Sequence, residues 1–168
     1  RAQAKASTER WAKGETLGPL DGIPATLKEL IATKGQPVPL GTRAVELKPA
    51  DADAPAAARL REDGAVIFAK TTCPDYGMLS SGLSSFHPLS RNPWNTAQNP
   101  GGSSAGASAA AAAGYGPLHI GTDIGGSVRL PAGWTGILGF KPSHGRIPAD
   151  PYYVGRCVGP MARTVEDA

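Results

Sequence analysis

"GGSSAGASAAAAAG", running from Gly101 to Gly114, is the stretch on which the reading of this chain turns. A flexible spacer rich in Gly and Ser lacks strong helix formers, whereas here only Gly106 and Ser108 interrupt seven alanines between Ala105 and Ala113. Alanine has the highest helix propensity of any residue, so the stretch predicts a helix whose faces are all small. Small side chains let a helix lie close against neighbouring backbone, which places it in the interior. Gly101, Gly102, Ser103 and Ser104 then stand at its N-terminus, where free N–H groups and the positive end of the dipole are found. Taken alone, the stretch reads as a packed helix with serine caps. A chemical role for either hydroxyl needs support from elsewhere in the chain.

On both sides the pattern alternates strand and helix. "GIPATLK" (Gly22 to Lys28) predicts a short strand, and a loop punctuated by Pro and Gly runs from Gly35 to Pro49. "DAPAAARLREDG" (Asp53 to Gly64) predicts an Asp-capped helix feeding "AVIFAK" (Ala65 to Lys70), a short apolar run that reads as a fully buried strand. Helix feeding buried strand implies an α/β layer architecture. The Ser-, Pro-, Asn- and Gly-rich region from Thr71 to Gly102 is long enough to predict a functional loop. Both ends look cut: the first residues read as the tail of a helix stopped near Gly14. In "RTVEDA", Thr164 reads as the N-cap of a helix with Glu166 and Asp167 in its first turn.

Composition narrows the class. The 168 residues, 40% hydrophobic, suffice to bury the core of one domain, and we assign residues 1–168 to a single, partial domain. Lys and Arg outnumber Asp and Glu by 17 to 14, but they are scattered, without like-charge runs or interleaved aromatics, so direct nucleic-acid binding is not expected. Cys73 and Cys157 show no C-x-x-C spacing and read as buried or idle thiols in a reducing compartment. No apolar run approaches the length of a membrane span, and the polar start "RAQAKASTERWAKGE" lacks the apolar core of a signal peptide. A cytoplasmic protein without membrane partners is the expectation. His87, His119 and His144 have no metal-ligand spacing and read as surface or hydrogen-bonded structural residues; no metal site is expected.

Three local patterns carry chemistry. Gly102-Ser103-Ser104-Ala105-Gly106 satisfies G-x-S-x-G, and Asp123 and His144 follow in the order of an α/β-hydrolase triad. A nucleophile elbow needs a strand immediately before it, and "RNPWNTAQNPG" is a loop broken by Pro and Asn, which argues against that reading. In "GTDIGGSVRLPAG" (Gly121 to Gly133), Gly125 and Gly126 can turn several N–H groups toward one point, as an oxyanion hole or anion nest requires. An ordinary tight turn would look the same, and the phosphate-loop spacing is absent. Lys28 closes the strand "DGIPATLK", where alternation sets Thr26 and Lys28 on one side and Ile23, Ala25 and Leu27 on the other. A lysine at a strand end is usually solvated, so its significance rests on the combination.

That combination is specific. "PLDGIPATLKE", "GGSSAG", the 24-residue step from Ser103 to Ser127, "GTDIGGSVRLPA" and "GFKPSHGRIP" together resemble the amidase signature family across essentially the whole chain. Ala105 stands where that family usually has another glycine, and Trp134 and Phe140 occupy positions that vary; neither departure removes a reactive group. The resemblance implies an α/β/α sandwich around a twisted mixed β-sheet, incomplete at both ends, since family members are longer and their C-terminal part supplies further strands and much of the substrate wall. It implies amide hydrolysis by a Ser/cis-Ser/Lys triad, with Ser127 as nucleophile, Ser103 as bridging hydroxyl after a cis Gly102–Ser103 bond, and Lys28 as ultimate base.

The chemistry makes sense of these residue types. A serine hydroxyl is a poor nucleophile until a base takes its proton. A lysine serves only if neutral, so its usual pKa of about 10.4 has to be lowered by burial or neighbouring donors. Ser103 can accept a proton from Ser127 while giving its own to Lys28, since a hydroxyl both donates and accepts. By the same resemblance, the N–H groups of Ile124, Gly125, Gly126 and Ser127 form an oxyanion hole. Ser104, Thr122, Asp123 and Arg129 support it, Arg129 equally as a structural ion pair. Met78, beside a loop from Tyr76 to Ser81, either lines the acyl side of the substrate or packs in the core. The expected partner is a small-molecule amide, no cofactor is needed, and homo-oligomerisation stays open. Two other readings remain: an amidotransferase subunit passing ammonia to a charged tRNA, which shares these motifs, and a catalytically silent binding or assembly module.

Overall fold

A computed structural model describes all residues, 1–168. Its centre is a five-stranded mixed sheet in the order β2-β1-β3-β5-β4, formed by β1 (Pro24–Lys28), β2 (Val66–Thr71), β3 (Leu118–Asp123), β4 (Leu138–Gly139) and β5 (Cys157–Ala162). β2, β1 and β3 run parallel, while β5 lies antiparallel to both β3 and β4. The helices are α1 (Ala2–Lys13), α2 (Pro55–Glu62), α3 (Ala105–Ala112) and α4 (Arg129–Thr135).

Side-chain alternation divides the core between the two faces. Ala25 and Leu27 of β1, Leu118 and Ile120 of β3 and Val158 of β5 pack with Ala57 and Leu60 of α2. Met161, an odd number of residues from Val158, points the other way and packs with Ala107 of α3 and with Val128 and Ala132 around α4. Helices therefore cover both faces, as expected of a three-layer α/β sandwich. No helix is long and apolar enough to cross a membrane.

The alanine helix sits inside, as its composition predicts, with Ala105, Ala107, Ser108 and Ala111 buried. Its small residues are required by distance: a Cβ at Gly106 would stand 2.5 Å from the Thr72 nitrogen, and one at Gly121 of β3 would stand 2.6 Å from the Ser104 hydroxyl oxygen. Gly106→Ala gains roughly 1 kcal/mol of helix propensity but forces backbone apart in a closed core, at about 1–3 kcal/mol or more. Net destabilisation in thermal unfolding is the expected result; a more stable alanine variant would show that the Thr72 contact is slack.

Several expectations change. β2 is an edge strand with half-exposed Phe68, so "AVIFAK" is covered on one side only; an apolar run of that length does not reveal which side of a strand lacks a neighbour. α2 starts at Pro55 with Ala54 at its N-cap and no side-chain cap. Asp53 instead accepts from the Lys34 N–H at 2.8 Å and pairs with Arg61 at 3.0 Å, fastening the preceding loop to the helix. "RTVEDA" forms no helix: Thr164 and Asp167 make reciprocal contacts of 3.2 and 2.9 Å that fit a first turn, and the chain continues as turn and bend. α1 does end at Gly14, which is left-handed at φ 70°. Arg10 of that helix grips buried Asp21 through two bonds of 2.6 and 2.7 Å, holding the Asp21 carboxyl well below the usual carboxylate range and pinning α1 to the entrance of β1.

Candidate active site

The carboxyl ends of parallel strands β1 and β3 open toward the N-terminus of α3, at the end of the sheet where α/β folds place their ligands. Lys28 is the last residue of β1 and is fully buried. Its Nζ lies 2.6 Å from Ser103 Oγ and 2.9 Å from Thr122 Oγ1 at the end of β3. The strand-end lysine is thus not solvated: two hydroxyls receive it. Burial is the chief cause that lowers its pKa from the ordinary 10.5 to about 8, with nearby Arg156 acting in the same direction and Cys73, Asp123 and Glu29 opposing.

Ser103 is buried in the turn before α3, and the Gly102–Ser103 peptide bond is cis. Gly102 is irreplaceable by geometry, since a Cβ there would stand 2.5 Å from the Leu79 carbonyl oxygen. Ser104 ties this turn to β3: its hydroxyl donates to the Thr122 carbonyl and accepts from the Thr122 N–H, each at 3.3 Å, while its N–H donates to the Ser127 carbonyl at 3.0 Å. Ser103, Thr122 and Ser127 are so carried on one hydrogen-bonded frame.

The glycine turn after β3 is organised by Asp123. Its buried carboxylate accepts from the N–H groups of Gly126 at 2.9 Å, Val128 at 3.1 Å and Arg129 at 3.3 Å. It also takes two bonds from the Arg129 guanidinium at 3.0 and 2.8 Å, so the structural ion pair is the role Arg129 occupies here. Burial pushes the Asp123 carboxyl upward, but the Arg129 bonds and the backbone donors outweigh it and hold the group at about 2. Of the four N–H groups expected to face an oxyanion, that of Gly126 is therefore taken up within the turn. Those of Ile124, Gly125 and Ser127 find no acceptor in the chain.

Ser127 is half-buried, and its hydroxyl is hydrogen-bonded to neither Ser103 nor Lys28. The structure brings Lys28, Ser103 and Thr122 into direct contact and attaches Ser127 to them through backbone. Met78, 80% exposed, is not a core residue. The region from Thr71 to Gly102 is irregular apart from one turn of 3-10 helix at Asp75–Gly77. It crosses the site, with the Gly77 Cβ position 3.3 Å from Ser103 Oγ.

Sequence reasoning overlooked a cluster beside Lys28. Buried Glu29 accepts from the Cys73 thiol at 3.0 Å and meets His87 Nε2 at 2.5 Å, tethering the long loop to the end of β1. Burial, reinforced by Glu29, pushes the Cys73 thiol far above its usual range, so it acts as a donor and not as a thiolate. The three residues lie up to 58 positions apart, and no local pattern announces them. His119 is buried with Nδ1 at 2.8 Å from Thr26 Oγ1, a structural role as expected. A cavity of about 620 Å³ lies elsewhere, between α2 and residues 146–148, on Leu60, Ile147 and Val158.

The fold and site define an α/β protein in which a buried lysine supports a serine hydroxyl beside a glycine turn with free N–H groups. The sequence profile of the family described as Amidase matches residues 1–168, and the chain belongs to that family, the amidase signature enzymes. It is 44% identical over 171 residues to the A-type subunit of the glutamyl-tRNA(Gln) amidotransferase of Roseiflexus sp. (strain RS-1), a match covering 99% of this chain and 35% of the relative. A solved structure described as "Crystal structure of amidase" superposes with a TM-score of 0.90 at 40% identity, covering 100% of this chain and 39% of that one. The native peptide amidase from Stenotrophomonas maltophilia superposes with a TM-score of 0.90 at 33% identity, over 99% of this chain and 36% of that one. The chain thus spans about a third of the length of the curated relatives it matches.

Proposed function

We propose that this chain carries the catalytic centre of an amide-bond hydrolase working through an acyl-enzyme on Ser127. The observation that carries the reading is the fully buried Lys28 amine 2.6 Å from Ser103 Oγ. A lysine placed there, with its pKa lowered to about 8, is a base within reach of neutral pH.

In this reading neutral Lys28 accepts the Ser103 proton while Ser103 accepts that of Ser127. The Ser127 oxygen then bonds to the amide carbon, and the carbonyl electron pair moves onto oxygen. The free N–H groups of Ile124, Gly125 and Ser127 are the donors for that oxyanion, an interaction type worth about 3 kcal/mol per donor when removed. Collapse breaks the C–N bond, and the proton held by the relay returns to the leaving amine. Water then attacks the Ser127 ester over the same relay, releasing the acid. The contact between the two hydroxyls closes in the substrate complex, where catalytic hydrogen bonds tighten. Exposed Met78 stays our candidate for the acyl side of the substrate.

A second reading, that of an amidotransferase component, is favoured by the names of the curated relatives at 41–44% identity. It uses the same acyl-enzyme, with the released ammonia passed on within a complex. Isolation of the intact protein with partner subunits selects it; turnover of a simple amide by the lone protein selects the hydrolase.

A fluorophosphonate tests what both share. Modification of the intact protein is expected at Ser127 and is lost in Ser127→Ala. Modification at Ser104 would replace this reading with a nucleophile elbow, and absence of labelling would favour a silent module.

A further inference from the structure

Arg156 is only 6% exposed and forms no salt bridge. Its guanidinium donates from Nη1 to the Pro151 carbonyl at 2.8 Å and from Nη2 to the Leu30 carbonyl at 3.4 Å, and lies 5.6 Å from the centroid of the Tyr153 ring. Tyr153 and Asp150 favour its charge, but neither pairs with it. A buried cation without a paired counter-ion is costly and calls for an explanation.

Its position supplies one. β5 begins at Cys157, opposite Asp123, so Arg156 continues the strand toward the Ile124 end of the glycine turn. The adjoining Gly155 has its Cβ position 4.0 Å from Ile124 Cγ2. Leu30, whose carbonyl Arg156 holds, follows Lys28 by two residues, and its side chain reaches Gly77, which itself borders Ser103. The guanidinium therefore stands at the same end of the sheet as the Lys28–Ser103 pair.

The charges facing Lys28 are not equivalent. Glu29 and Asp123 are the two carboxylates, and Cys73 contributes a thiol. Glu29 is engaged by His87 and Cys73, and Asp123 by half-exposed Arg129 together with three backbone donors. Arg156 alone among these groups carries a charge that no salt bridge offsets. A second positive charge on Lys28 is disfavoured next to such a group.

We propose that Arg156 is a positioning residue whose unpaired charge enlarges the neutral fraction of the Lys28 amine and so keeps that amine available to Ser103. The proposal rests on the reading of Lys28 as the base. It agrees with the sense in which Arg156 acts on Lys28, which is to lower its pKa.

The test is the rate of Ser127 modification by a small fluorophosphonate against pH, in the intact protein and in Arg156→Gln, Arg156→Met and Arg156→Lys. Two neutral replacements of different shape guard against a failure to fold in either, and circular dichroism reports folding. The parent is expected to gain reactivity through about pH 8, the value to which Lys28 is lowered. In the neutral variants the midpoint moves upward by about 0.5–1 pH unit, with the rate at pH 7 falling about three- to tenfold. Arg156→Lys keeps the parental midpoint. Neutral variants that fold, lose rate and keep the parental midpoint would assign Arg156 a purely structural role and overturn the proposal. So would a lysine variant shifted as far as the neutral ones. A parent never labelled at any pH removes the acyl-enzyme reading as well, which distinguishes that failure from the failure of this inference alone.

Discussion

Lys28→Met is expected to abolish most serine reactivity while leaving a fold at least as stable as the parent at pH 7. The loss is that of a general base, on the order of 10²–10⁴-fold, read as the labelling rate of Ser127. The stability effect has the opposite sign and is more diagnostic. The folded-state pKa of Lys28 is about 8 and its ordinary value is 10.5. Between those limits the unfolded chain binds more protons than the folded one, so stability rises with pH through that window and is lowest below it. Below about pH 8 the buried charge costs about 3 kcal/mol. Methionine removes that cost and strands the Ser103 and Thr122 hydroxyls, at about 1 kcal/mol each. A net gain on the order of 1 kcal/mol remains, together with loss of the alkaline rise in stability. Denaturant unfolding at pH 7 and pH 10 measures both. A variant clearly less stable at both pH values would mean that the amine is a structural tie.

Asp123→Ala is the second large effect. Gly126, Val128 and Arg129 would lose their shared acceptor, and unsatisfied buried donors cost on the order of 1–3 kcal/mol each. The consequence reaches the chemistry because this carboxylate fixes the turn that bears Ile124, Gly125 and Ser127. Loss of labelling together with a lower unfolding midpoint is expected, with partial recovery in Asp123→Asn, which retains one acceptor oxygen. Its pH dependence in the parent is also set: a carboxyl held at about 2 contributes stability above the ordinary carboxylate range and loses it as pH falls toward that value. Unchanged labelling in a folded Asp123→Ala would show that the turn holds without its central acceptor.

What the sequence made legible follows from what is local. The alanine helix, the lysine-terminated strand and the glycine turn each carry a pattern within a dozen residues, and those patterns placed Lys28 and Ser103 in one site. Non-local facts were not legible. Whether "AVIFAK" lies at an edge depends on what stands beside it, and Asp53 left its expected cap because Lys34 and Arg61 compete for the same oxygens. Thr122 was read as support for the turn, whereas its hydroxyl touches the Lys28 amine, because the last residues of β1 and β3 converge there. The Gly126 N–H was assigned to an oxyanion, yet Asp123, three residues before it, accepts that proton first. Glu29, Cys73, His87 and Arg156 meet around Lys28 only after the long loop and the start of β5 fold over the end of the sheet.

The most direct measurement is the titration of the Lys28 side chain itself, followed by nitrogen-15 NMR of labelled lysine in the intact protein and assigned through Lys28→Met. A midpoint near 8, with an amine slow to exchange with solvent, is the result this account predicts. Titration at the ordinary 10.5, in an otherwise native protein, would leave Ser103 without a base and contradict it.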